Sequence, residues 1–121
     1  MTFTLYGIPN CDSVKKARAW LTAQGQAHTF VDFKKTGAPA ERLAKWAEAV
    51  GWDKLINRQG TTWRQLSPQA QLDANSPAGA FALAMAHPSV IKRPVAEWPN
   101  KVVTIGFNAT VWAEALHALP K

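Results

Sequence analysis

The sequence predicts an α/β protein, a mixed β-sheet with a helical subdomain inserted in its middle, and three observations carry that prediction. Residues 1–33 give strand, helix and strand signals in turn; Lys34 to His87 carries helical periodicity and helix caps; strand signals return after Pro88 and a last helix closes the chain. The 121 residues, 47% hydrophobic and 18% charged, suit one domain with a core of its own. That composition excludes disorder, collagen-like repeats and a multidomain enzyme.

Thr2 to Tyr6 alternates with period two and runs into Gly7-Ile8-Pro9-Asn10, a strand delivered into a turn. A helix then begins at Cys11, with Val14, Ala17, Trp20 and Leu21 as its apolar stripe and Gly25 as its stop. A second strand, His28 to Phe33, follows. Strand, helix and strand with short links form a βαβ unit, whose crossover makes the two strands parallel.

In the helical stretch, Leu43, Trp46, Ala47 and Val50 fall at i, i+3, i+4 and i+7, and Gly51 ends that run. Thr62 with Gln65 reads as a capping box, and Ser67-Pro68 and Ser76-Pro77 each place proline at a first helical position. The last of these helices must stop by Pro88. Beyond it, Val90-Ile91, Val95 to Trp98 and Val102 to Ile105 read as strands, the last two joined as a hairpin through Pro99-Asn100-Lys101. Asn108 caps a final helix whose Val111, Trp112, Ala115, Leu116 and Leu119 are expected to face the core. This order is that of a thioredoxin-like, glutaredoxin-like sheet: one domain over residues 1–121 with a helical insertion at 34–87.

Cys11 is the only cysteine, which excludes an internal disulfide. It stands at a strand-to-helix junction, where open backbone N–H groups and the helix dipole favour an anion and lower a thiol's pKa. A lone cysteine is by default a small buried hydrophobe. Lys15 and Lys16 argue against that default, because basic residues in a first helical turn oppose the dipole unless the positive field serves something negative. The net charge of +6 favours anionic partners, but the charges do not cluster as in a nucleic-acid arm. His28, His87 and His117 lie far apart, so no metal site is expected, and His87 before Pro88 reads as a helix end. Trp20, Trp46 and Trp112 fall on apolar faces, as core residues do. No basic leader or apolar run of membrane-spanning length is read, so a cytoplasmic protein is expected.

Four motifs in order make the chain resemble the arsenate reductase (ArsC) and Spx family, in particular its YffB-like branch. They are Leu5-Tyr6-Gly7-Ile8-Pro9-Asn10-Cys11 followed by Val14-Lys15-Lys16-Ala17; Leu55 to Arg64, reading Leu-Ile-Asn-Arg-Gln-Gly-Thr-Thr-Trp-Arg; His87-Pro88-Ser89-Val90-Ile91-Lys92-Arg93-Pro94; and Gly106-Phe107-Asn108. The resemblance implies that Cys11 is the nucleophile and that Arg58 and Arg93 stabilise its thiolate or an oxyanion substrate. Guanidinium forks suit both. It also implies a cis-proline at Pro94 beside the cysteine, exposing backbone that can pair with a thiol peptide. Asn10, Lys15, Arg64 and Pro94 are the candidate substrate contacts, Arg64 being either that or a plain surface charge. Trp63 either lines the cleft or belongs to the core.

Two departures narrow the expectation. Arsenate reductases of the family carry a third arginine where this chain has Gly106-Phe107-Asn108, and the regulators that bind RNA polymerase use Cys-x-x-Cys where this chain has Val14. The implied activity is a thiol-dependent reductase of disulfides or oxyanions with one redox thiol. No bound cofactor is expected. Glutathione is the expected thiol co-substrate, a protein thiol or disulfide or an oxyanion is a possible partner, and nucleic acid and membrane are not. The chain is expected to be a monomer. The rival expectation is a non-catalytic Spx-like partner of RNA polymerase.

Overall fold

In the computed structural model, which describes residues 3–119, Thr4–Gly7 forms β1 and Asp12–Ala23 forms α1. Thr2, the first residue of the expected strand, lies outside the described residues. Thr29–Asp32 forms β2, Val95–Glu97 forms β3, Val103–Ile105 forms β4 and Ala109–His117 forms a closing helix. The strands make one four-stranded sheet in the order β2-β1-β3-β4. β1 and β2 are parallel, with Leu5 opposite Phe30, whereas β3 runs antiparallel to both β1 and β4. The expected mixed sheet is therefore present.

Between Asp32 and Arg93 the chain is helical. Phe33–Thr36 is α2, Ala40–Val50 is α3, Trp52–Leu55 is α4, Thr61–Arg64 is α5, Pro68–Asp73 is α6 and Pro77–Ala86 is α7, which makes the closing helix α8. The chain divides into two compact units, residues 3–32 with 93–119 and residues 33–92. The sheet unit buries Phe3, Leu5, Ala17, Leu21, Ala96, Trp98 and Trp112 together. Trp112 is the hub of that cluster, its ring centroid 4.9 Å from Phe107, 5.4 Å from Trp98 and 6.0 Å from both Phe3 and Trp20. The pairs with Phe107, Trp98 and Trp20 are edge-on, the arrangement the aromatic quadrupole favours, while Phe3 lies tilted at 50°. In the helical unit Leu43, Trp46, Leu55, Ala80, Ala84 and Ile91 are fully buried, and the Trp46 and Phe33 rings lie 6.0 Å apart.

The local signals that worked are those with a mechanism inside one turn of chain. Ser67 Oγ accepts from the Ala70 N–H and Ser76 Oγ from the Gly79 N–H, each cap followed by proline. Asn108 Oδ1 accepts from the Val111 N–H at 3.0 Å. Because this cap starts the helix that carries Trp112, Asn108→Ala should cost about 1 kcal/mol, read as a lower urea midpoint at unchanged m value.

Four expectations need correction. Val90-Ile91 is not a strand: Pro88–Val90 is a 3₁₀ turn, and Ile91 makes a single antiparallel bridge to Ile56. The proline fixes φ for a tight turn and overrides the β-branched pair. Phe33 does not end β2 but starts α2. Thr62 caps nothing, since α5 already starts at Thr61 with Gly60 as its N-cap. Val111 is 53% exposed. The helix turns about 100° per residue, so a face centred on Trp112 takes Ala115, Leu116 and Leu119 and leaves Val111 outside.

Candidate functional site

β1 ends in a turn closed by the Cys11 N–H on the Ile8 carbonyl at 3.2 Å, and the Lys15 N–H then bonds the Cys11 carbonyl at 2.9 Å, the first bond of the following helix. Cys11 is thus the N-cap of α1 rather than its first residue, with extended backbone. Val14, one turn in, is fully buried. A methyl group on Gly7 would come within 2.7 Å of a Val14 Cγ atom, so glycine at the end of β1 is what lets the helix start this close to the strand. Gly7 carries no functional atom, and the sequence signals it only as part of a turn.

The Cys11 sulfur is partly buried and closes no full cap hydrogen bond. Burial by itself raises its pKa. The Val14 amide, the Arg93 guanidinium and the Ser13 amide, all donors to the charged form, together with the positive charge of Arg93 outweigh burial and hold the thiol below its ordinary value. Two of these donors are backbone N–H groups of a helix's first turn, which have no helical partner of their own. The sequence-predicted pair Cys11 and Arg93 is brought together.

Arg93 leads into Pro94 through a cis peptide bond, as the resemblance implied. Pro94 is buried and its carbonyl accepts from the Gly106 N–H at 2.8 Å. Asn10 is exposed in the turn before the cysteine, and Lys15 is exposed on α1. The Gly106-Phe107-Asn108 region has structural work at each position. Gly106 takes φ 82° and ties to Pro94, Phe107 packs on Trp112, and Asn108 caps α8.

Arg58 and Arg64 belong to the helical unit. Arg58 follows Asn57, whose side-chain oxygen accepts from the Gln59 N–H at 3.0 Å and so fixes an Asx turn. The segment is tied down by the Asn57 N–H on the Val90 carbonyl at 2.7 Å and the Lys92 N–H on the Leu55 carbonyl at 2.8 Å. The Arg58 guanidinium sits 5.1 Å from the centroid of the Trp63 ring, donates from Nη1 to Asn75 Oδ1 at 3.3 Å and approaches Asp53 at 4.0 Å. Trp63 is buried and forms the floor under the guanidinium. Arg64 is exposed at the end of α5. Asn75 and Asp53 carry no sequence signal for this role. Among the described residues no group of three or more His, Cys, Asp or Glu lies together in a way that could hold a metal. No helix of the described residues is long and apolar enough to cross a membrane.

The model of the ArsC family matches residues 6–115. Among solved structures, a YFFB protein is 42% identical with a TM-score of 0.89, covering 95% of this chain and 99% of its own. An arsenate reductase (ArsC) related protein from Brucella melitensis is 43% identical with a TM-score of 0.73, covering 98% and 97%. A relative named as the global transcriptional regulator Spx, from Streptococcus mutans, is 28% identical over 108 residues, 87% of this chain and 76% of that protein.

Proposed function

The chain belongs to the ArsC family, and on that premise we propose that it is a thiol-dependent reductase whose nucleophile is Cys11 and whose second thiol comes from solution as glutathione. The observation that carries this reading is the placement of Cys11 as the N-cap of α1 with the Arg93 guanidinium beside it, an arrangement that lowers the thiol's pKa. A thiol so placed is charged and nucleophilic at a lower pH than an ordinary one.

In the proposed cycle the Cys11 thiolate attacks the glutathione sulfur of a mixed disulfide between glutathione and another thiol. A Cys11–glutathione disulfide forms, the substrate S–S bond breaks, and the substrate leaves as a thiolate that takes a proton. A free glutathione thiolate then attacks the glutathione sulfur on Cys11, forming oxidised glutathione and releasing the Cys11 thiolate. The net reaction consumes one glutathione thiol: the mixed disulfide and free glutathione become the free substrate thiol and oxidised glutathione, with Cys11 returned as thiolate. Arg93 stabilises the thiolate as attacker and as leaving group. Arg58 supplies a guanidinium for a carboxylate of glutathione, with Asn10, Lys15 and Arg64 as further polar contacts. A free redox thiol of this kind suits the reducing cytosol, where we place the protein.

Arsenate fits less well, because the Gly106-Phe107-Asn108 region is committed to the fold and brings no third arginine. A Cys-x-x-Cys switch has no counterpart, since Val14 is a fully buried core side chain. The test is mass spectrometry of the reduced protein after incubation with oxidised glutathione, alongside a thiol titration against pH. The expected result is one adduct, on Cys11, with a midpoint below that of an ordinary thiol. No adduct together with an ordinary midpoint overturns the reading. Binding to the carboxy-terminal domain of the RNA polymerase α chain that survives Cys11→Ser would point to a binding module instead.

A further inference from the structure

Arginine is a long, flexible side chain, and holding its planar fork in one orientation before an anion arrives removes an entropy cost from binding. Arg58 has the means for this within its own unit. The Asx turn at Asn57 fixes its backbone, the buried Trp63 ring lies beneath its guanidinium, and Asn75 accepts one of its N–H bonds. Trp63 restricts the height of the guanidinium plane and leaves it free to slide. The Asn75 contact fixes one edge, and it comes from 17 residues away, in the turn between α6 and α7. An arginine has five N–H donors, so the bond to Asn75 spends one and leaves the fork able to take a carboxylate. Asp53 competes weakly for the same cation, its side chain fully exposed and 4.0 Å away.

We propose that Asn75 is a positioning residue that orients the Arg58 guanidinium over Trp63 for an anionic group of the substrate. The proposal rests on the reading of Arg58 as a substrate-holding residue. Asn75 is exposed, so its truncation leaves no buried cavity and the variant keeps its fold.

The experiment follows single-turnover formation of the Cys11 adduct over a range of oxidised glutathione concentrations. It compares wild type, Asn75→Ala, Arg58→Ala and the double variant. Asn75→Ala should raise the half-saturating concentration about fivefold, the scale of one lost hydrogen bond, and leave the limiting rate within about twofold. In the Arg58→Ala background the same substitution should change nothing further, because its effect runs through the guanidinium. A residue that only supported the turn would lower the limiting rate as well and act equally in both backgrounds, which would overturn the proposal. If Arg58→Ala matters and Asn75→Ala does not, positioning by Asn75 fails while the role of Arg58 stands. An Arg58→Ala variant indistinguishable from wild type defeats both.

Discussion

Arg93→Ala should move the pH profile of Cys11 reactivity to higher pH and slow adduct formation at neutral pH by about tenfold, the scale set by losing one charge-assisted hydrogen bond. Burial works against the thiolate here, so the low value depends on the donors that oppose it. The Val14 and Ser13 amides remain after the substitution because they belong to the helix backbone. Only the guanidinium's hydrogen bond and charge are lost. Arg93→Lys separates those two contributions, since lysine keeps the charge and gives up the planar fork, and its profile should fall between the others. Alkylation rates measured across pH give the comparison, and a profile unchanged in Arg93→Ala would remove Arg93 from the thiolate's surroundings.

The same shift has a sign in stability. A thiol whose pKa is lower folded than unfolded contributes stability that is fully present above the unfolded value and is lost as pH falls through the folded one. The advantage of wild type over Cys11→Ser should therefore grow with rising pH across that window. In Arg93→Ala the window should narrow, because its lower edge moves up.

What the sequence made legible follows the range of the interactions involved. Asn108, Ser67 and Ser76 cap helices through bonds to amides three residues on, and such bonds can be read from spacing alone. The junction at Cys11 is legible for the same reason, since its helix-start amides are local. Val111 was not, because adjacent apolar residues at 111 and 112 leave the centre of a helical face undecided until Trp112 meets Trp98 and Phe107. Val90-Ile91 has strand composition, but a strand needs a neighbour along its length, and only Ile91 finds one, at Ile56. The setting of Arg58 was illegible for a stronger reason. Asn75 becomes its partner through the path of α5 and α6, and no periodicity encodes that path.

Gly79→Ala tests the turn that supplies Asn75, and it should destabilise the protein by about 3 kcal/mol or more. Propensity alone gives the opposite sign, since alanine in a helix is favoured over glycine by about 1 kcal/mol. Gly79 is the third residue of α7, and a methyl group there would run into the backbone carbonyl of Asp73. That carbonyl has little freedom to withdraw. It accepts the Ser76 hydroxyl at 3.3 Å and the Ser76 N–H at 3.4 Å, while Ser76 Oγ accepts the Gly79 N–H at 3.0 Å. Relief of the clash must open this ring of bonds and unseat the cap of α7. Urea unfolding should show a lower midpoint, and a variant as stable as wild type or more so would mean that the turn yields at small cost. Asn75 lies inside the ring, between Asp73 and Ser76. The folded fraction of Gly79→Ala should accordingly share the raised half-saturating concentration expected of Asn75→Ala, linking a packing constraint in α7 to the orientation of Arg58.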